Sequence, residues 1–271
     1  MSGIKRIRVG TRASKLAMAQ TEGVVEMLAL KFKDVLFEIV PTATKGDKIV
    51  EKALCDLPSS APFADELEDA LLSGGIDMAV HSMKDLSSSC PKGLVLAKAW
   101  TREDPRDALI VNGSATSIES LPSGAVVATG SVRRNMYLSA LRPDLEIVPI
   151  RGNVDTRLRK LFSPRDGERK LDAIILAAAG LKRLGLEKYI AQYIDAGKML
   201  PAANQGQIAI EIREEDIELK NMVDSFCDED AEKAACAERE FMRELGVDCR
   251  CPVAALAKIE NGKVVLDVSF A

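Results

Sequence analysis

Short apolar segments rich in β-branched residues alternate with longer amphipathic segments along this chain, and this alternation limits the fold more than any other feature. Segments with the composition of strands are "IRVGT", "LFEIVPT", "DMAVHS", "LVLAKAW", "DALIV", "AVVATGS", "LEIVPIRG", "AIILAAAG" and "QIAIEIR". Helical patterns lie between several of them, over residues 14–30, 63–72, 132–141 and 154–161. Strands that alternate with helices predict an α/β fold with largely parallel sheets.

The length of the chain and a change of pattern near its C-terminus indicate more than one domain. A chain of 271 residues corresponds to two or three domains. The polar segment "TREDPRD" separates two α/β units, and from Asp230 onward one helical segment precedes two strands, "PVAALAKIE" and "KVVLDVSFA". We therefore predict two α/β domains followed by a small third domain of mixed helix and strand.

Composition excludes several classes of protein. The formal net charge is −4 and no aromatic platform accompanies the basic residues, which argues against nucleic-acid binding. The apolar stretch "AIILAAAGL" is far shorter than the roughly 18 residues that span a bilayer, and "MSGIKRIRVG" lacks the apolar core of a secretory signal. We expect a cytoplasmic protein with no membrane partner.

Cysteine and histidine usage argues against disulfides and metal sites. The six cysteines are irregularly spaced, and the pair Cys249 and Cys251 lies far from the single histidine, His81. Zinc needs more ligands of the right kind nearby, and disulfides are rare in the cytosol. We expect neither a disulfide framework nor a bound metal.

Three strand-to-helix turns share a pattern of hydroxyl and guanidinium side chains. The turns "VGTRAS", "VVATGSVRR" and "IRGNVDTR" contain Thr11, Arg12, Ser14, Thr129, Ser131, Arg133, Arg134, Arg151, Asn153, Thr156 and Arg157. Ligands of open α/β sheets bind at the C-terminal edge of the strands, where helix N-termini offer free N–H groups. Arginine suits carboxylates and phosphates. Taken singly, each turn is explained equally well by a capping side chain and a solvated arginine. Together they favour one shared polyanion site.

The identity of the anion stays open at this level. Neither a Walker A motif nor G-x-G-x-x-G follows a strand, which disfavours nucleotides, and an organic polycarboxylate fits as well as a phosphate. A fourth turn, "AVHSMKDL", adds Lys84 as an anion ligand and Asp85 as a general acid or base, or as a counter-charge for a developing cation. Considered alone, Asp85 is better explained as a turn residue and His81 as a structural histidine.

The chain resembles the porphobilinogen deaminase family, also called the hydroxymethylbilane synthases. The matching segments are "GTRASKLAMAQT", "KGDKI", "FADELEDALLSGGIDMAVHSMKDL", "REDPRDAL", "TGSVRR", "IRGNVDTRLRKL", "AAAGLKRLGL", "NQGQIAIEIR" and "CAEREFMRELGVDCRCPVAA". They follow the family's order from Gly10 to about Ala255. Each motif is moderately specific, and their combination is highly specific.

The resemblance implies two α/β domains like those of type II periplasmic binding proteins, between which the chain crosses twice, and a small α+β C-terminal domain. The corresponding ranges are 1–100 with 202–217, 104–198, and 220–271. It also implies a transferase of tetrapyrrole and heme biosynthesis. Such an enzyme condenses four porphobilinogen molecules on a covalent dipyrromethane cofactor, releases ammonia, and frees hydroxymethylbilane by hydrolysis. We expect a monomer.

Residue by residue, the resemblance assigns Asp85 as the catalytic aspartate and Cys249 as the cysteine that holds the cofactor through a thioether. The cofactor and the growing chain carry an acetate and a propionate on each pyrrole. The positions that match the family's ligands for these groups are Arg12, Ser14, Ser82, Lys84, Thr129, Ser131, Arg133, Arg134, Arg151, Arg157, Arg183 and Gln205.

The chain departs from the family pattern at several positions. Asp65 stands where the family commonly has a lysine, Val247 and Asp248 replace glycines before the cysteine, Ser87 replaces a proline, and "NQGQ" replaces "GQGA". Relatives usually continue beyond the position of Ala271 into another strand and a helix, so we expect a truncated third domain.

Two further functions remain open on the same scaffold, because a fold does not fix a function. One is a non-catalytic or weakly active protein that binds pyrroles or polycarboxylates, and the other is a generic anion-binding protein. Retention of Asp85 and Cys249 favours the enzyme, whereas Asp65 is the main argument for the first alternative. Residues 46–62 are expected to form a mobile flap over the site.

Overall fold

Two five-stranded sheets and one two-stranded hairpin organise the chain in the computed structural model. The model describes residues 5–42, 64–247 and 251–270. None of the helices in these ranges is long and apolar enough to cross a membrane.

The first sheet is covered by a helix on each face. Its strand order is β2-β1-β3-β10-β4, with β1 at Lys5–Arg12, β2 at Val35–Thr42, β3 at Met78–Ser82, β4 at Leu94–Leu96 and β10 at Ile208–Arg213. Successive side chains of a strand point to opposite faces. Val80 packs with Leu28 of helix α1 (Lys15–Lys31), and Ala79 packs with Leu67 of helix α2 (Asp65–Leu72).

The second sheet has the same layered arrangement. Its strand order is β7-β6-β8-β5-β9, with β5 at Asp107–Val111, β6 at Val126–Ala128, β7 at Glu146–Val148, β8 at Ala173–Ala177 and β9 at Gln192–Tyr193. Ile175 faces Leu138 of helix α3 (Val132–Leu141), while Ile174 faces Leu161 of helix α4 (Val154–Phe162). The short helix α5 (Ala178–Arg183) follows β8.

The predicted alternation of strands and helices is confirmed, but the sheets are mixed rather than largely parallel. Strand β10 runs antiparallel to β3 and β4, and β5 runs antiparallel to β8 and β9. Both strands follow a passage of the chain from one sheet to the other. No helical crossover joins them to their sheet neighbours, so the parallel direction is not imposed on them. The pattern of apolar residues predicts which segments are buried strands, but it does not predict whether neighbouring strands run parallel or antiparallel.

The C-terminal unit contains helices α6 (Ile217–Asp224) and α7 (Glu229–Leu245) and the hairpin of β11 (Val253–Glu260) and β12 (Lys263–Phe270). One of its links to the rest of the chain is Glu238 of α7, which is fully buried. Arg102 donates two hydrogen bonds to the Glu238 carboxylate, at 2.6 and 3.2 Å, and the backbone N–H of Ala257 donates a third at 2.7 Å. One carboxylate therefore joins a passage between the sheets to the hairpin.

The fold class expected from the resemblance is confirmed: the chain has two α/β units and a small α+β unit. The sheets draw their strands from residues 5–96 with 208–213, from 107–193, and from 253–270. The domain boundaries given above remain a prediction.

Candidate functional site

A cleft of about 970 Å³ is lined by residues of both α/β units. This is near the upper end of the roughly 300–1,000 Å³ that small-molecule sites occupy. Arg12, Ser82 and Ala177 line it, and they are the last residues of β1, β3 and β8. The sequence-based expectation that the C-terminal strand edges share one site is therefore met by the geometry.

Two of the hydroxyl groups at these turns cap helices. The Ser14 Oγ accepts a hydrogen bond from the Ala17 N–H at 3.3 Å, and the Ser131 Oγ accepts one from the Arg134 N–H at 3.4 Å. Thr129 is buried, and its Oγ1 accepts from the Ser131 N–H. Capping thus explains why these residue types occur here. Ser14 also lines the cleft, and Ser131 lines a second cavity described below.

Asp85 ends a single turn of 3₁₀ helix, Met83–Asp85, directly after β3. The N–H of Met83 donates to the Gln207 carbonyl at 3.0 Å, which fixes this turn against the segment that enters β10. The half-buried Asp85 lines both the cleft and an adjoining cavity of about 60 Å³. The charge of Asp85 acts on the neighbouring cations Lys84 and Arg157, whose pKa values it raises against the effect of burial.

Lys84 and Gln205 form a hydrogen-bonded chain behind this turn. The Lys84 Nζ donates to the Gln205 Oε1 at 3.0 Å, and the Gln205 Nε2 donates to Asp107 Oδ1 at 2.8 Å. Burial, opposed by Asp85 and reinforced by Arg134, lowers the pKa of Lys84 to about 8. Gln205 has no solvent exposure, so it acts here as a connection between the two units.

The adjacent residues Arg133 and Arg134 are buried and share one carboxylate, that of Asp107. Arg134 donates to Asp107 Oδ1 through Nη2 at 2.8 Å and Nε at 3.1 Å, and Arg133 donates to Oδ2 at 2.8 Å. Burial opposes ionisation of Asp107, but the two arginines outweigh it and hold its pKa well below the ordinary value. A solvated arginine is thereby excluded at both positions.

Although adjacent in sequence, these two arginines face different spaces. Arg134 lines the cleft, and Arg133 lines a second cavity of about 70 Å³. The Arg133 Nε is buried and has no hydrogen-bond partner within the described ranges. The residues that share this second cavity include Lys84, Ser131, Asn204, Arg239 and Cys251.

Arg12, Arg151 and Arg157 line the cleft near Asp85, and all three are half-buried. The Arg157 Nε donates to the Gly152 carbonyl at 2.7 Å, which holds the side chain over its own turn. Burial, together with the charges of Arg134 and Arg151, lowers the pKa of Arg157 to about 10, while Asp85 opposes the shift. These cations therefore repel one another, and an anion in the cleft would relieve that repulsion.

Arg183 and Ser82 are held by partners in the protein. The Arg183 Nη2 donates to the Gly206 carbonyl at 2.6 Å, and Arg183 is absent from the residues that line the cleft. Gly206 has a φ of +92°, and a Cβ there would lie 2.2 Å from the Glu103 carbonyl oxygen. Ser82 lines the cleft and exchanges hydrogen bonds with Gln20. The assignment of Arg183 to carboxylate binding stays a prediction.

His81 lies behind the site in a buried pair. Its Nε2 is 3.2 Å from Glu211 Oε2, and both side chains are almost fully buried. This placement agrees with the structural role favoured from the sequence. Near this pair, burial and the charge of Glu211 raise the pKa of Glu68 to about 7.

Cys249 lies outside the described residues, as do residues 46–62 of the expected flap. Cys251 is the first described residue after the gap, and it lines the second cavity. The position of Cys249 as cofactor cysteine therefore stays a prediction.

Sequence reasoning missed Asp107, Phe162 and Tyr189. Asp107 is the charged first residue of the apolar strand "DALIV". A charge at the start of a buried strand requires a partner, and this was the signal that could have identified it. Phe162 and Tyr189 line the cleft, but nothing in their local sequence distinguishes them from surface aromatics.

The comparisons with known proteins agree with one another. Residues 7–221 match the family model "Porphobilinogen deaminase, dipyromethane cofactor binding domain", and residues 233–271 match "Porphobilinogen deaminase, C-terminal domain". A porphobilinogen deaminase of Lachnospira eligens is 46% identical over 264 residues, which cover 97% of this chain and 88% of that protein. One from Syntrophomonas wolfei is 44% identical over 261 residues, covering 96% of this chain and 83% of that protein.

Solved structures with a similar course of the chain are more distant. The VFT2 domain of Bordetella pertussis BvgS is 16% identical with a TM-score of 0.48, over 90% of this chain and 93% of that domain. An ancestral arginine-binding protein bound to arginine is 18% identical with a TM-score of 0.41, over 91% of this chain and 95% of that protein.

Proposed function

This chain belongs to the porphobilinogen deaminase family, and on that premise we propose that it condenses four porphobilinogen molecules head to tail on a covalent dipyrromethane cofactor. Ammonia leaves at each addition, and hydrolysis releases the linear tetrapyrrole. One observation carries the proposal: Asp85 lies in the same cleft as the cations Arg12, Lys84, Arg134, Arg151 and Arg157.

The donor set fits a cofactor with several carboxylates. The second cavity adjoins residue 251 and is lined by Arg133, Arg239 and Lys84, and the Arg133 Nε is a buried donor without a partner in the described part of the chain. Guanidinium groups pair with carboxylates in a forked geometry. These three cations and Ser131 would hold the carboxylates of a dipyrromethane attached to Cys249.

When bound, the cofactor supplies the electron-rich terminal pyrrole carbon to which the first substrate unit is joined. The cleft arginines bind the acetate and propionate of porphobilinogen and orient its aminomethyl group. Loss of ammonia leaves positive charge shared with the pyrrole N–H of the substrate. The Asp85 carboxylate, which lines the cleft, stabilises that charge and accepts or returns the proton.

Lys84 supplies positive charge and not a base in this scheme. With a pKa of about 8 it is mostly protonated at pH 7, and Gln205 holds it beside Asp85. The alternative of a non-catalytic protein that binds pyrroles or polycarboxylates would give Asp85 no role among these cations. Asp65, the main argument for that alternative, starts helix α2 and is not among the residues that line the cleft.

We also place the protein in the cytoplasm as a monomer. The cysteines within the described ranges, Cys90, Cys227, Cys236 and Cys251, are unpaired, as is usual in a reducing compartment. Sedimentation analysis of the purified protein tests the monomer, and a mass twice that of the chain would contradict it.

The proposed function is tested by intact mass spectrometry of the purified protein before and after addition of porphobilinogen. We expect a mass above that of the chain by one dipyrromethane, increments of one pyrrole unit after substrate, and release of ammonia. The Cys249→Ser variant should lack the cofactor mass, and the matched Cys251→Ser variant should keep it. An adduct that maps to Cys251, or no adduct in the wild type, would overturn the assignment.

A further inference from the structure

The cleft has an aromatic end that the reaction chemistry described above does not use. Phe162 is the last residue of α4, and Tyr189 ends a 3₁₀ turn, Glu187–Tyr189, that follows α5. Their ring centroids are 5.4 Å apart at an interplanar angle of 36°. Both line the cleft, and they remain 39% and 36% exposed. Two large rings are thus packed on each other and still open to the cleft.

This aromatic pair lies away from the cationic part of the cleft. Helix α4 begins at Val154, near Arg151 and Arg157, and Phe162 is eight residues further along. At 1.5 Å per residue, this separates Phe162 from the start of the helix by about 12 Å. The cleft follows the length of α4, because residues from both of its ends line it. One end therefore carries most of the cations, and the other carries the aromatic pair, with Arg159 beside it in an ion pair with Glu168.

A polypyrrole needs both kinds of surface. Its carboxylates require cations, and its rings present aromatic faces that stack on other rings in offset or tilted arrangements. Exposed Lys188 lies next to this end but outside the cleft lining, with its Nζ 5.2 Å from the centroid of the Tyr189 ring. The aromatic pair therefore matches the ring of a pyrrole unit, while the cations of the other end match its carboxylates.

The reaction also creates a need for such a surface as the chain grows. One end of the product chain stays anchored through the cofactor, and each addition must occur at Asp85. With both ends held, the units added first are displaced into the remaining part of the cleft. The first addition requires no space beyond the cationic end, whereas the third and fourth additions do.

We propose that Phe162 and Tyr189 form a stacking subsite for the internal pyrrole rings of the lengthening chain, and that they act on the late additions and not on the first. This inference rests on the proposed function, since it assigns part of the same cleft to a stage of that reaction. The subsite takes an aromatic ring of the chain, which stacks against the two side chains.

The test uses the cofactor-loaded protein and the variants Phe162→Ala and Tyr189→Ala, singly and together. Each protein is mixed with one to four equivalents of porphobilinogen, quenched at intervals and analysed by intact mass. We expect the first addition to proceed within about twofold of the wild-type rate. The third and fourth additions should slow by about tenfold, which corresponds to the loss of one stacking contact. Protein with two or three added units should then accumulate.

Three comparisons keep the result specific. Tyr189→Phe retains the ring and should behave as the wild type. Phe270→Ala removes an aromatic side chain that is 67% exposed on β12 and absent from the cleft lining, and should leave every step unchanged. Melting temperatures of all variants show whether the fold is retained.

The outcomes separate the two proposals. Equal slowing of all four additions in Phe162→Ala and Tyr189→Ala, or no slowing of any, overturns the stacking subsite while the proposed function stands. A defect in Tyr189→Phe as large as in Tyr189→Ala assigns the effect to the hydroxyl group and also overturns it. Absence of any mass increment in the wild type overturns the proposed function, and the subsite with it.

Discussion

Arg134 donates two hydrogen bonds to a single oxygen of Asp107, at 2.8 and 3.1 Å, and Asp107 has no exposure to solvent. The same oxygen also accepts from Gln205, whose carbonyl oxygen accepts from Lys84. A cation on each wall of the cleft is therefore tied to one buried carboxylate. Asp107 therefore orients the side chains of Arg134 and Lys84 toward the cleft, although Asp107 itself does not line it.

Asp107→Asn should be strongly destabilising. It leaves Arg133 and Arg134 buried without a compensating charge, and breaking a buried ion pair costs about 3–5 kcal/mol. Glu119→Gln is the control, because Glu119 pairs with Lys198 and both side chains are more than half exposed, so its loss should cost no more than about 1 kcal/mol. The free energy of unfolding from denaturant titration measures both. Equal values for the two variants would show that the buried network is not specific.

Asp85→Asn should abolish turnover and leave the fold and the cofactor in place. Loss of a positioned acid or base costs about 10²–10⁴-fold in rate. Asp85 is only half-buried and lines the open cleft, so the change should alter the melting temperature little. Ammonia release and intact mass measure the two effects separately. A near-normal rate would remove Asp85 from the mechanism.

Arg157→Leu should impair substrate addition more than stability. Its removal relieves repulsion with Arg134 and Arg151 in the empty cleft, but it takes away a ligand for a carboxylate. Arg169→Leu is the control, because Arg169 is 52% exposed and pairs with Glu146 outside the cleft lining. We expect about a tenfold or greater loss in kcat/KM for Arg157→Leu and none for Arg169→Leu. Wild-type kinetics in both would assign Arg157 to the protein surface.

How far the sequence predicts this site depends on the range of the interactions. Ser14 and Ser131 cap helices locally, so their turns and the helices that follow were predictable from residue type. The shared strand edge followed from the α/β pattern alone. The pairing of Arg134 with Asp107 spans 27 positions and that of Gln205 with Asp107 spans 98, and no periodicity reports contacts of that range. The direction of β5 and β10 escaped prediction for the same reason, since strand pairing is set by distant residues.

Glu68 should make stability depend on pH near neutrality. Burial, with the charge of Glu211, raises its pKa to about 7 in the folded state, from about 4.5 in an unfolded chain. Between these values the folded state binds more protons than the unfolded state, so stability falls as pH rises from about 4.5 to about 7. The effect is on the order of 1 kcal/mol, because the carboxyl group is only half-buried.

Glu68→Gln should therefore stabilise the protein at pH 8 and have little effect at pH 4.5. Glu66→Gln, in the same first turn of α2, is the control for loss of a helix-terminal charge. Unfolding free energies across this pH range measure the difference between the variants. A pH profile for Glu68→Gln that runs parallel to the wild-type profile would contradict the raised pKa.

Asp65→Lys restores the charge that the family commonly has at this position, and its expected effect follows from where Asp65 lies. Asp65 opens helix α2, next to Ala64, and Ala64 lines the small cavity that Asp85 also lines. An aspartate within about 4 Å of an incoming carboxylate would repel it by about 1 kcal/mol in water. Replacement by lysine should lower the KM for porphobilinogen severalfold at about 0.01 M salt and have almost no effect at about 1 M, where the Debye length falls to about 3 Å.

The lysine also places positive charge at a helix N-terminus, which should cost about 0.3–1 kcal/mol of stability and must be separated from the kinetic effect. Asp69→Lys makes the same charge change on the exposed side of the same helix, one turn further from the cavity. If the lower KM requires proximity to the cleft, Asp65→Lys shows it and Asp69→Lys does not. An equal change in both variants would reflect only the net charge of the protein. No change in either variant at low salt would mean that the aspartate at position 65 has no electrostatic influence on substrate entry.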